Sequence, residues 1–108
     1  MKKERLFKLT KKDFDFKYMR GSGAGGQHRN KTASACKCTH EASGATGYAE
    51  DHREAPKNMK LAFQRMTETS VFKAWMRLKI DAYNGKVDIE EPDDFGKMNK
   101  RKVRGDEI

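Results

Sequence analysis

Residues 13–20 read DFDFKYMR, a stretch in which aromatic and charged side chains alternate. In an extended chain the aromatic residues share one face and the charged residues share the other: Phe14, Phe16 and Tyr18 against Asp13, Asp15 and Lys17. This period of two predicts a half-buried strand. The glycine-rich stretch GSGAGGQHRNKT follows at residues 21–32 and predicts a loop, because its four glycines favour neither helix nor strand. Residues 30–35, NKTASA, are compatible with about one helical turn, with Asn30 as a possible cap.

The next segment repeats the alternation and then changes period. Residues 35–41 put Cys36, Cys38 and His40 on one face, and the SGATG turn at residues 43–47 leads to a short strand near residues 47–50, so we predict a hairpin. Pro56 favours a helix start, and apolar residues then recur at helical spacing as far as Tyr83. The TETS stretch at residues 67–70 leaves open whether this is one helix or two.

These patterns predict an α+β fold. We expect a small antiparallel sheet of about three strands, with the glycine-rich loop and a short helical turn after the first strand. The sheet packs against one long helix or two consecutive C-terminal helices. Residues 1–12 are interpreted as a basic N-terminal arm, residues 13–86 as the domain that carries the loop, and residues 87–108 as a charged, flexible C-terminal tail.

The composition favours a polyanionic partner. The chain has 108 residues, 24 Lys and Arg against 16 Asp and Glu, and a net charge of +8, which makes RNA, DNA or an acidic surface the default partner. A soluble protein that is merely basic is the alternative. No apolar run approaches the roughly 20 residues of a membrane-spanning helix. We therefore expect a cytoplasmic protein without membrane contact, and the closely spaced pair of cysteines fits a reducing compartment.

Two familiar phosphate motifs fit the loop poorly. Gly21, Gly23 and Gly26 spell G-x-G-x-x-G, but a dinucleotide fold needs a buried parallel strand before this motif and a helix directly after it. A nucleotide P-loop needs Gly before Lys-Thr, and here Asn30 stands in that place. On spacing alone, a solvated loop without chemistry remains an alternative.

The whole string from Arg20 to His28, followed by Asn30-Lys31-Thr32, closely resembles the GGQ loop of class I peptide-chain release factors. A second block, DHREAPKNMKLAFQRM at residues 51–66, resembles the start of the helix that follows the last strand of that domain. The resemblance covers residues 14–66 and makes residues 13–86 a GGQ catalytic domain. It implies hydrolysis of the ester bond between the nascent peptide and the P-site tRNA on the ribosome.

The resemblance also assigns roles within the loop. Gly25, Gly26 and Gln27 are the expected catalytic residues: the glycines let the backbone enter a narrow RNA pocket, and the Gln27 backbone N–H stabilises the oxyanion. The Gln27 side chain lines the pocket for the attacking water, and its amide is a possible methylation site. No neighbouring residue is an obvious general base. Ribosomal RNA and tRNA are therefore expected to supply part of the chemistry, and the close placement of the reacting groups is expected to supply much of the rest. No cofactor is expected.

RNA contacts are expected around the loop and in the tail. For any one of these residues, a merely solvated basic face is an equally good interpretation. Arg29 departs from the family pattern, which has a small apolar residue there, and we interpret it as an extra phosphate contact. The expected contact residues are Arg20, Ser22, His28, Arg29, Asn30, Lys31, Lys37, Lys57, Lys100, Arg101 and Lys102.

The Cys36-Lys37-Cys38-Thr39-His40 stretch offers three candidate zinc ligands on one strand face. A structural zinc site requires a fourth ligand, and the two cysteines of Cys-x-Cys are separated by one residue and not by the usual two. Buried cysteine packs as a small apolar residue. We therefore expect core packing and no metal site.

Partners and targeting follow from the resemblance. The expected partners are large-subunit rRNA at the peptidyl-transferase centre and P-site peptidyl-tRNA, and the protein is expected to be a monomer. We expect no stop-codon-reading domain within 108 residues, so codon-independent rescue of stalled ribosomes is the leading interpretation, with the basic residues 97–104 as a short tail for the empty mRNA channel. The alternatives are a non-catalytic ribosome-binding or RNA-binding module and a catalytic subunit with a separate stop-codon-reading partner.

Overall fold

The computed structural model describes residues 7–20, 34–83 and 85–105. Within these ranges the chain forms six strands, two helices and one short 3₁₀ turn at Lys11–Asp13. The strands are β1 (Lys8–Leu9), β2 (Phe14–Met19), β3 (Ala35–His40), β4 (Ala45–Ala49), β5 (Lys86–Pro92) and β6 (Met98–Arg104), and the helices are α1 (Ala55–Thr67) and α2 (Ser70–Ala82). The described part of the chain contains no helix that is long and apolar enough to cross a membrane.

The first sheet has the antiparallel order β2-β3-β4 and packs against α1. Its register places Phe16 opposite Cys38 and Cys38 opposite Gly47, so the inward faces of the three strands coincide. Cys36, Cys38 and His40 are all fully buried, as their alternation predicted. The α+β class, the first strand and the hairpin predicted from the sequence are confirmed.

Gly47 brings β4 into direct contact with α1. A Cβ atom at this position would meet the backbone of Ala62 and Met66 at less than van der Waals distance, with no flexible side chain to move aside. The α1 residues that complete this interface are fully or nearly buried: Met59, Ala62, Phe63 and Met66. A glycine is therefore required where strand and helix backbones meet.

Two helices, and not one, follow the first sheet. Thr69 separates them: its hydroxyl donates to the Met66 carbonyl at 2.8 Å and accepts the Phe72 backbone N–H at 3.2 Å. The same side chain thus ends α1 and caps α2, as Ser and Thr commonly do at helix starts. This resolves the alternative that the TETS stretch left open.

The second sheet was not predicted. Its order is β1-β5-β6, with β1 parallel to β5 and β5 antiparallel to β6. Leu9 is buried although it lies in the expected basic arm, and Val87, Ile89 and Val103 are buried although they lie in the expected flexible tail. The interpretation of residues 87–105 as a flexible tail was therefore wrong, because a few apolar side chains between charges suffice to fold a hairpin against α2.

The hairpin aligns the acidic and basic runs of the C-terminal segment. Asp88 lies opposite Lys102 and Glu90 opposite Lys100, and Arg101 Nε donates to Glu91 Oε1 at 2.8 Å. Opposite charges facing each other across two strands stabilise the pairing modestly. Two runs that look like separate charge clusters in the sequence are therefore the two partners of one ladder.

His40 joins the first sheet to α2. Its ring centroid lies 5.4 Å from that of Phe14, 5.1 Å from that of Phe72 and 4.5 Å from that of Trp75. Nδ1 lies 2.7 Å from the Ser43 hydroxyl, whereas Nε2 has no conventional hydrogen-bond partner among the described residues. Burial lowers the pKa of His40.

Candidate functional site at the base of the glycine-rich loop

The glycine-rich loop connects two neighbouring strands of the first sheet. Met19, the last residue of β2, pairs with Ala35, the first residue of β3. The chain therefore leaves and re-enters the sheet at adjacent positions, at one end of β2 and β3. Most of the expected helical turn at residues 30–35 lies outside the described residues. The same is true of the loop residues that were expected to act in catalysis or RNA binding: Ser22, Gly25, Gly26, Gln27, His28, Arg29, Asn30 and Lys31.

Asn58 fixes the point at which the loop returns to the sheet. Its Nδ2 donates to the Ser34 carbonyl and to the His52 carbonyl, both at 2.8 Å, and its Oδ1 accepts the His52 backbone N–H at 2.9 Å. The side chain is 0 % exposed. Buried amide groups hydrogen-bonded in this way hold three chain segments in one geometry. Asn58 thus ties the end of the loop, the segment after β4 and the start of α1 together.

Arg65 forms a second tie beneath the same region. Its Nη1 and Nη2 donate to the two Asp51 carboxylate oxygens at 3.0 Å each, and Nη1 also donates to the Tyr48 carbonyl at 2.9 Å. The bidentate geometry is the strongest form of this pair. The guanidinium holds the pKa of Asp51 below its usual value. The release-factor-like block at residues 51–66 therefore builds the support of the loop.

The groups nearest the loop base are not poised as general bases. The Tyr18 hydroxyl donates to Met59 Sδ at 3.4 Å, and burial, followed by the neighbouring Cys36, raises the pKa of Tyr18. Burial also raises the pKa of Cys36 to about 11 and that of Cys38 to about 12. All three groups remain neutral and protonated at neutral pH.

The cysteines belong to the core. Cys36 and Cys38 are free thiols with no exposed surface, as expected for packing residues. Within residues 7–20, 34–83 and 85–105, no three His, Cys, Asp or Glu side chains are arranged to hold a metal ion. The protonated thiols would have to lose their protons in an apolar environment before they could bind zinc.

The structure separates the described candidates for RNA contact into two groups. The first group lies near the base of the loop, and all of its members are exposed: Arg20, which directly follows β2, Lys37 on β3, and Lys57 in the first turn of α1. The second group, Lys100, Arg101 and Lys102, lies on β6 opposite β5. These three residues are therefore part of a folded hairpin and do not form a free basic tail.

The loop and the strand segments next to it are basic. Residues 16–40 contain five Lys and Arg residues and no Asp or Glu. Lys17 and Lys37 are directly opposed across β2 and β3 on the exposed face, an arrangement that costs some stability in the absence of an anion. This part of the chain has the electrostatic character of a polyanion-binding surface.

Sequence reasoning missed Asn58 as a site residue. It appeared only as one member of the block that resembles the release-factor helix. The available signal was chemical: asparagine is a poor helix former, and here it stands between a lysine and a methionine in the first turns of an otherwise favourable helix. Such a residue requires a hydrogen-bonding reason for its position.

The chain matches the RF-1 domain family over residues 2–104, and it belongs to that family. It is 45 % identical over 56 residues to peptide chain release factor 1 of Nautilia profundicola, which covers 52 % of this chain and 16 % of that protein. It is 43 % identical over 58 residues to peptide chain release factor 2 of Campylobacter lari, with 54 % and 16 % covered. It is also 32 % identical over 88 residues to peptide chain release factor 2 of Helicobacter pylori, with 82 % and 23 % covered. The chain thus spans less than a quarter of the length of these relatives.

Proposed function

We propose that the protein hydrolyses the ester of peptidyl-tRNA on the ribosome and releases the nascent chain. The observation that carries this proposal is the intact Gly25-Gly26-Gln27 sequence in a chain of the RF-1 domain family. The supports of the loop are also complete: paired strands at its base, the Asn58 ties and the Arg65–Asp51 pair. A loop that must place one backbone N–H within hydrogen-bonding distance of a reacting atom needs such a rigid base.

The proposed chemistry is attack of water on the ester carbonyl. The carbonyl oxygen becomes an oxyanion, which the Gln27 backbone N–H stabilises, and the tRNA ribose oxygen leaves with a proton delivered by RNA or water. One well-placed oxyanion donor lowers a barrier by about 3 kcal/mol. The Gln27 side chain orients the water, and Gly25 and Gly26 let the backbone enter the pocket. Large-subunit rRNA at the peptidyl-transferase centre and P-site tRNA are the proposed partners of a monomer.

We assign RNA binding to the basic residues of the loop and of its base. Arg20 and Lys57 would contact phosphates at the base. The polar and basic residues of the loop would also contact RNA: Ser22, His28, Arg29, Asn30 and Lys31. The argument for tail residues Lys100, Arg101 and Lys102 is weaker, because each lies on a paired strand. The proposal of codon-independent rescue therefore cannot rest on a free basic tail.

The codon requirement is tested by peptide release from ribosomes with a stop codon, a sense codon or no codon in the A site. We expect release without a codon and no stimulation by a stop codon. Release only at stop codons, or only after addition of a codon-reading factor, would contradict the rescue proposal while leaving hydrolysis intact.

The catalytic assignment is tested with loop variants. Gly26→Ala, which changes the backbone that presents the Gln27 N–H, should lower the release rate at least 100-fold. Gln27→Ala keeps this N–H and removes only the water-orienting side chain, so it should lower the rate less. Both variants should bind the ribosome within about threefold of the wild type. Gln64→Ala, which removes an exposed glutamine on α1, is the matched control and should release peptide normally. If the wild-type protein binds the ribosome but releases no peptide, the protein is a non-catalytic binding module. An intact-mass measurement on protein from its native host tests methylation of Gln27.

A further inference from the structure

The first sheet has a face that points away from α1. The Phe16 ring of β2 faces the helix and lies 6.4 Å from the Phe63 ring. Because side chains alternate along a strand, the next residue, Lys17, points to the other side. The register places Lys17 opposite Lys37 of β3, and Lys37 opposite Tyr48 of β4. We call these three side chains the outer row.

The two lysines of the outer row are exposed and carry the same charge. Directly opposed residues of an antiparallel pair have Cβ atoms about 5 Å apart, so both ammonium groups can reach one point between them. Neither lysine forms an ion pair with a residue that the structure describes; the ion pairs lie elsewhere, at Lys60–Asp94, Arg65–Asp51 and Arg101–Glu91. Opposed like charges destabilise a sheet, and a bound anion would remove that cost.

Two carboxylates share this face without contacting the lysines. Asp15 lies two residues before Lys17 on β2, and Glu50 follows β4, two residues beyond Tyr48. The two carboxylates therefore flank the outer row at opposite corners of the sheet. Glu50 Oε2 accepts a hydrogen bond from the Tyr48 hydroxyl at 3.1 Å. The positive charge is thus confined to the middle of the face, which suits a small anionic group.

The glycine-rich loop begins close to the outer row. Lys17 stands two residues before Met19, where β2 ends. A strand rises about 3.4 Å per residue, so Lys17 lies about 7 Å from the start of the loop. If the loop enters an RNA pocket, this face lies beside the RNA backbone. Backbone phosphates are small anions, and lysine is a common partner of them.

We propose that Lys17 and Lys37 together bind one backbone phosphate of the RNA that receives the loop. This site rests on the proposed function, because that function makes RNA the partner. Each ammonium group donates to a phosphate oxygen, and the phosphate neutralises the repulsion between the two lysines. The free protein therefore carries a small loss of stability that binding recovers.

The test measures stability and affinity in the same variants, because the two should change in opposite directions. Lys17→Glu places a carboxylate opposite Lys37, so the urea midpoint of unfolding should rise. The same variant should bind large ribosomal subunits at least tenfold more weakly in about 0.1 M KCl, measured by co-sedimentation. Lys73→Glu is the matched control: it makes the same charge change at an exposed position of α2 and should weaken binding less than about threefold.

Salt dependence tests whether the bound group is a phosphate. Lys17→Gln with Lys37→Gln removes both positive charges and adds no negative charge. In this double variant, the slope of the logarithm of affinity against the logarithm of salt concentration should become shallower by about 1. Lys17→Arg keeps the charge and should retain affinity within about twofold of the wild type.

Three results would overturn the proposed phosphate site. Lys17→Glu that is more stable yet binds as the wild type does would show a merely solvated face. An affinity loss equal to that of Lys73→Glu would show an effect of net charge alone. An unchanged salt slope in the double glutamine variant would show that the partner of these lysines is not a phosphate.

Peptide release is measured separately, so the two proposals can fail independently. Binding of the wild type without release would contradict hydrolysis and leave the phosphate site intact. Normal release by the wild type, together with unchanged binding of Lys17→Glu, would contradict the phosphate site alone. A wild-type protein that does not bind large subunits would contradict both.

Discussion

Replacing Asn58 by alanine should destabilise the protein by about 2.5 kcal/mol. The substitution removes three hydrogen bonds and leaves the Ser34 carbonyl and both His52 backbone groups without this partner. Each hydrogen bond contributes about 1 kcal/mol net to the free energy of unfolding. Alanine offsets roughly 0.6 kcal/mol of the loss, because its helix propensity is higher than that of asparagine. The loss is a large fraction of the 5–15 kcal/mol that holds a typical domain together.

Urea unfolding followed by Trp75 fluorescence measures this loss directly. Gln64→Ala is the control, because it replaces an exposed amide by alanine on the same helix and should change stability by less than 0.5 kcal/mol. If the two variants unfold at the same urea concentration, the three hydrogen bonds do not hold the segment and the reasoning is refuted. At low temperature, where Asn58→Ala is still folded, peptide release should fall more than ribosome binding, because the loop base is released.

Three further predictions concern the core. Gly47→Ala should cost about 3 kcal/mol or more in the free energy of unfolding, since its Cβ would meet α1 backbone atoms. Because burial lowers the pKa of His40 in the folded state, its contribution to stability is fully present above pH 6.5 and is lost as the pH falls towards the folded-state value. His40→Gln should remove that part of the pH dependence. The two core thiols should resist iodoacetamide at pH 8 in the folded protein and react in urea, because burial keeps them protonated.

Each of these has its own check. Gly44→Ala, in an open turn at φ +80°, should cost only about 1 kcal/mol, so an equal effect at Gly47 would argue against the backbone clash. If His40→Gln leaves the pH dependence of stability unchanged, the assignment of that dependence to His40 is wrong. Rapid alkylation of the folded protein would show that β3 opens.

The first sheet and both helices could be predicted because their patterns are strong. Alternation along residues 14–19 and 35–40 identified the buried faces. Helical spacing identified the helical segment that contains α1 and α2, but it did not decide between one helix and two. The release-factor-like loop added the candidate chemistry. These features are local, so a short window of sequence contains most of the information.

The second sheet could not be recognised in the same way. Among the described side chains of its two long strands, Val87, Ile89, Pro92 and Val103 are buried, and the residues around them are mostly charged. Its first strand comprises two residues near the other end of the chain, Lys8 and Leu9, paired in parallel with β5. Parallel pairing across about 80 residues leaves no local signal. Asn58 was overlooked for a related reason, since its partners Ser34 and His52 lie in two other segments, both earlier in the chain.

The pairing of acidic and basic runs in the β5–β6 hairpin has a consequence for how the protein approaches its partner. Residues 86–104 contain six Lys and Arg against five Asp and Glu, so nearly all of the net charge of +8 resides in the rest of the chain. The charge excess lies mainly in two regions: residues 1–12, with six Lys and Arg against one Glu, and residues 16–40, with five Lys and Arg and no carboxylate. The paired charges of the hairpin add little to the attraction that a polyanion exerts on these two regions. The protein's rate of association should depend steeply on ionic strength, even where the final complex does not.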